Sequence, residues 1–185
     1  MKERISFICQ QLLWPATAGN VIWSLLSILI DPNIRIECRC PDVIALLVLG
    51  FYMSFNWTRR VHFGKNGENL YFLLLDLAHI ICVCVLAISI YYQSYGLSEA
   101  SLITIFVIAS TTHFAGLAPA NPNDSRARYF FGTLNALGAI LVFLWDFLPP
   151  PVSPSWEIAA PLLTIVPAWL FLVRYFARKS QSAPR

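Results

Sequence analysis

The sequence predicts an all-α polytopic membrane protein of six transmembrane helices, with four as the alternative and both termini cytoplasmic. Three observations carry that prediction: the composition, a series of apolar runs of spanning length, and the distribution of basic residues between the loops. Hydrophobic residues make up 57% of the chain and charged residues 12%, whereas a soluble domain carries about a quarter charged residues. The mean hydropathy is +0.62. Lipid is therefore the expected solvent. The 185 residues suffice for a single transmembrane helical-bundle domain, 1–185, and leave no room for a soluble domain beside it.

A spanning helix needs roughly 20 apolar residues. In chain order, 12–30 is apolar but interrupted by Trp14-Pro15 and Asn20. Its Ala16-Thr17-Ala18 looks like a signal-peptide cleavage site, yet Gln10 and Gln11 break the apolar core that such a peptide requires. It is read as a helix. The second run, 43–57, is short, and Arg59 and Arg60 can extend it by reaching back to the interface. Runs 70–92, 97–118, 128–148 and 157–176 meet the length outright. Pro161 and Pro167 are expected to kink the last of them.

With all six runs as spans, Lys2, Arg4, Arg59, Arg60, Lys65, Arg126, Arg128, Arg174, Arg178, Lys179 and Arg185 fall on one side, leaving only Arg35 and Arg39 opposite. Basic residues favour the cytoplasmic side, so both termini are expected there, in a bacterial inner membrane. If 12–30 and 43–57 do not cross, every basic residue becomes cytoplasmic. The charge rule thus leaves the span count open. The aromatics fit the same register: Trp57, Tyr71, Tyr129 and Tyr175 lie at inner ends, and Tyr91, Tyr92, Trp145 and Trp156 at outer ends.

Inside the third run, Asp76 and His79 are three residues apart and share a helix face. Ionisable groups within a span are costly and mark function more often than in a soluble core. His113 of the fourth run and Asn135 of the fifth complete a set of ligand or polar-network candidates. The preferred reading is a satisfied structural pair, because burial favours paired groups. Cys82 could serve as a distant third metal ligand, but a zinc site needs at least three ligands of firm geometry, and no metal is expected. Haem bridging His79 and His113 is disfavoured by their different depths, and no cofactor is expected. Cys9, Cys38, Cys40, Cys82 and Cys84 include no C-x-x-C pair. The outer-loop cysteines of four-helix disulfide-generating oxidoreductases have no counterpart in the second and third outer loops.

Spans associate in lipid through small residues and interhelical hydrogen bonds. Gly132, Asn135, Ala136 and Ala139 share one face of the fifth run, with Val142 off it as a tolerant position. Ser101, Thr104, Thr111, Ala115 and Ala118 make a stripe on the fourth, and Ala160, Thr164 and Ala168 one on the sixth. The loop 58–68, with Arg59, Arg60 and Lys65, can contact anionic lipid or a cytoplasmic protein. A net charge of +3 does not call for nucleic acid.

The functional expectation is a non-enzymatic sensor or anchor subunit that self-associates and recruits a cytoplasmic partner. The analogy is with small membrane subunits of bacterial phage-defence systems. The alternative is a small-solute carrier or channel, which resembles the substrate-binding subunits of energy-coupling-factor vitamin transporters in length and topology. A haem- or quinone-linked redox enzyme ranks third.

Overall fold

The computed structural model describes residues 12–34, 36–63, 70–115, 122–145, 147 and 154–181. Six α-helices occupy them: α1 (Trp14–Ile30), α2 (Ile36–Phe63), α3 (Leu70–Tyr91), α4 (Tyr95–Ala115), α5 (Pro122–Trp145) and α6 (Pro154–Gln181). Backbone polar groups have no water to bond in a bilayer core, and a helix satisfies them within the segment. Four helices carry stretches long and apolar enough to cross a membrane: Leu74–Tyr91, Tyr95–Ala115, Ser125–Trp145 and Ser155–Tyr175.

The short second run belongs to a much longer helix. α2 has 28 residues, about 42 Å at 1.5 Å per residue. Its ends carry Glu37, Arg39, Asp42, Arg59 and Arg60, which hide its length from an apolar window. Pro41 lies inside it near the start, where it forfeits one helical hydrogen bond. α6 likewise runs unbroken through Pro161 and Pro167. α1, with 17 residues, is at the lower end of the spanning range.

The helices close into a ring. Each packs along two neighbours in the order α1, α2, α6, α5, α4, α3 and back to α1. α3 to α6 follow one another in sequence and in space, and the α1–α2 hairpin closes the gap, α1 against α3 and α2 against α6. Cross-ring contacts between α4 and α6 join the middle. Leu46, Leu49, Met53, Val83, Leu86, Leu102, Ile158 and Leu162 form the buried interior. Outward, every helix shows large apolar side chains, among them Trp23, Phe51, Ile81, Val107, Phe143 and Phe171. Apolar groups inside and out are what a lipid-embedded bundle shows.

Two corners fix the connections. After α3, Gln93 takes a left-handed φ of 55°. Ser94 N–H bonds to the Ser89 carbonyl at 2.9 Å and Gln93 N–H to that of Ile90 at 3.0 Å, the paired bonds of a Schellman cap. After α1, Asn33 N–H donates to Asp31 Oδ1 at 2.8 Å, and Arg39 Nη2 donates to the carbonyls of Asp31 at 2.8 Å and Ile34 at 3.2 Å. Arg39 thus neutralises the carbonyl end of α1.

Candidate functional site

α3 buries Asp76 and His79, with relative exposures of 5% and 8%. The His79 ring lies between two aromatic rings from the hairpin. Trp14 of α1 is 6.0 Å away, centroid to centroid. Tyr52 of α2 stacks at 5.9 Å and 20°, with its hydroxyl 3.3 Å from His79 Nε2. The row continues from Tyr52 to Trp169 of α6 at 5.9 Å, then to Phe131 of α5 at 5.9 Å, and ends where Phe131 stacks on His113 of α4 at 5.3 Å. One row of rings therefore draws on all six helices. Pairs at such separations favour tilted or offset geometry and contribute about 0.5–1.5 kcal/mol each beyond area burial.

His79 and His113 lie toward opposite ends of the row, with Tyr52, Trp169 and Phe131 between them. Asn135 is buried, and its Nδ2 donates to the Phe131 carbonyl one turn back at 2.7 Å. Among the described residues, no three His, Cys, Asp or Glu side chains come together as a metal site requires. At the centre, Leu49, Tyr52, Ile105, Phe106, Asn135 and Trp169 help to bound a cavity of about 10 Å³, room for about one water molecule.

No protein family, curated protein or solved structure matches this chain. The chemistry has to be read from the side chains themselves.

Cys84, near His79 in sequence, works between helices. Thr17 Oγ1 of α1 is 3.2 Å from its Sγ, and Asn20 Nδ2 donates to its carbonyl at 3.4 Å. Asn20, which weakened the first run as a span, ties α1 to α3. Cys82 is half-buried.

The small-residue face of α5 is used within the chain. A Cβ on Gly132 would come 2.8 Å from the Phe114 ring, and one on Gly138 would meet Phe106 at 3.1 Å. Ser110 Oγ donates to the Gly132 carbonyl at 2.9 Å. Phe131, Gly132, Asn135, Gly138 and Val142 are buried, while Ala136 and Ala139 are half-buried. Val142, expected to tolerate bulk, is fully buried. The stripes on α4 and α6 do not act as packing faces throughout: Thr104 and Thr164 are exposed and bond back to the Ala100 and Ala160 carbonyls. The side chains of Arg59 and Arg60, and the whole of Lys65, lie outside the described residues.

Sequence reasoning missed Tyr52, Trp14, Trp169 and Asp42. Tyr52 and Trp169 had a signal; Trp14, third in the 12–30 run, did not. A Tyr or Trp well inside an apolar run, away from headgroup depth, needs a partner for its polar atom or ring. Asp42 was lost because the apolar run was begun at residue 43.

Proposed function

We propose that this protein is a six-span bundle of a bacterial inner membrane with both termini cytoplasmic. In this reading it is a non-enzymatic sensor or anchor subunit, which docks a cytoplasmic protein on its basic inner surface. The observation that carries the reading is the occupied centre. Tyr52 of α2, Phe106 of α4 and Trp169 of α6 fill it, and the central cavity has room for about one water molecule. Such an interior favours action through surfaces over passage or turnover of a solute. The six-span count is supported by the ring itself. α1 and α2 pack along α3 and α6, and α1 turns Ile22, Trp23, Leu26 and Ile30 outward, where only lipid or another protein would cover them. Self-association, as part of this proposal, uses such outward faces, because Gly132 already packs against α4.

Gently solubilised protein should retain a cytoplasmic protein identifiable by mass spectrometry. Replacing Arg59, Arg60 and Lys65 together by Glu should release it without lowering bundle stability. A stoichiometric small molecule in place of the protein, with uptake of that solute by cells, would replace this reading by the carrier.

A further inference from the structure

Asp42 is 1% exposed and lies one residue before the apolar 43–57 stretch, level with the first residues of the membrane-crossing windows of α4 and α6. Its partners come from two other helix starts. Tyr95, the first residue of α4, donates its hydroxyl to Asp42 Oδ2 at 3.3 Å. Ser155, in the first turn of α6 and fully buried, donates to the Tyr95 hydroxyl at 2.8 Å. A single chain of hydroxyls therefore ties the beginnings of α2, α4 and α6 to one carboxylate. Tyr95 is half-buried, so the site lies one side chain from the surface.

We infer that Asp42, Tyr95 and Ser155 form a proton-binding site, which takes up a proton from the adjoining aqueous phase and tightens the starts of α2, α4 and α6. Under the proposed topology that phase is the outer one, and acid there is a stimulus for the sensor reading; the site itself is tested without reference to a partner.

The opposing forces can be ranked. Burial disfavours the carboxylate, while the Ser155 and Tyr95 hydroxyls favour it, and burial wins: the carboxyl is pushed up from 3.8 to about 6. The nearby helix starts also favour the anion through their dipoles, by a smaller amount. Among the described side chains, the other ionisable groups at this end of the packed helices are Arg39 and Cys40 on α2, Asp31 after α1, Tyr91 and Tyr92 at the end of α3, Glu99 on α4 and Glu157 on α6. Arg39 bonds to the carbonyls of Asp31 and Ile34.

A folded-state value above the unfolded one means that the folded protein holds its proton more tightly. The stability gained is fully present below about pH 3.8 and is lost as pH rises through about 6. Asp42→Asn keeps the shape of the protonated form without titrating. In the full-length protein in detergent, its Tm should exceed that of the wild type at pH 8, with the gap closing toward pH 4. Difference infrared spectroscopy of the wild type should show a protonated-carboxyl band rising from about a tenth at pH 7 to about nine tenths at pH 5. The band should vanish in Asp42→Asn, persist in Asp76→Asn, and shift to a higher midpoint in Tyr95→Phe, which removes a donor to the anion. A wild type without a carboxyl titrating between pH 5 and 7, or a band unaltered in Asp42→Asn, would overturn the site.

Discussion

His79 is the residue on which the hairpin and the four-helix array meet, since its ring touches Trp14 and Tyr52 at once. Removing the Tyr52 hydroxyl alone, as Tyr52→Phe, should cost about 1 kcal/mol, the usual net value of one hydrogen bond. His79→Ala should cost roughly 2 kcal/mol or more, because the ring contacts go with the bond and a cavity remains. Equilibrium denaturation in mixed micelles measures both, and equal costs would show that the stacking contributes nothing. Asp76→Ala should lower Tm by leaving neighbouring polar groups unmatched. Asp76→Leu combined with His79→Leu should recover part of that loss, less completely if Tyr52 is retained than in the triple variant with Tyr52→Phe. A stable double variant that has lost partner-dependent function in cells would move these residues from structure to chemistry. At this scale the sequence announced Asp76 and His79, because charge inside an apolar run stands out. It did not announce Asp42, whose burial depends on α4 and α6 arriving from distant parts of the chain.

Helix ends and helix contacts set the tolerance of each element. Gln93 occupies the left-handed position that Gly prefers, and its Nε2 is buried without a hydrogen-bond partner among the described residues. Gln93→Gly should therefore raise stability by roughly 0.5–1 kcal/mol, and a drop in the denaturation midpoint would contradict the cap. On α5 the two glycines should behave differently. The ring tip of Phe114 faces Gly132 and is 37% exposed, so it can swing outward; Phe106, facing Gly138, is 4% exposed and cannot. Gly138→Leu should thus lower folding yield more than Gly132→Leu, with overpacking worth about 1–3 kcal/mol. Exposed Ile140, replaced by Leu, is the control on this helix. Equal effects at both glycines would mean that Phe106 yields as easily as Phe114. The small-residue spacing around Gly132 was legible because helix periodicity puts it on one face. Its partner was not, because nothing in α5 specifies Phe114, and the length of α2 was hidden by the charges at its ends.

The whole molecule is a ring in which the α1–α2 hairpin, weak by hydropathy, fills the gap left by four strong helices. Composition made the all-helical, lipid-facing character legible, since 57% hydrophobic residues cannot all be inside. Ring order was not legible, because the pairing of α2 with α6 joins opposite ends of the sequence. If α1 and α2 run the depth of α3 and α6, the turn between them emerges on the side opposite the basic loops. Single cysteines placed in a background lacking Cys9, Cys38, Cys40, Cys82 and Cys84 test this most directly. Intact cells treated with an impermeant thiol reagent should label Asn33→Cys in the α1–α2 turn and Ser153→Cys before α6, and should spare Lys65→Cys until the membrane is opened. Protection of Asn33→Cys with labelling of Ser153→Cys would reduce the molecule to four spans, and labelling of Lys65→Cys in intact cells would contradict the orientation altogether.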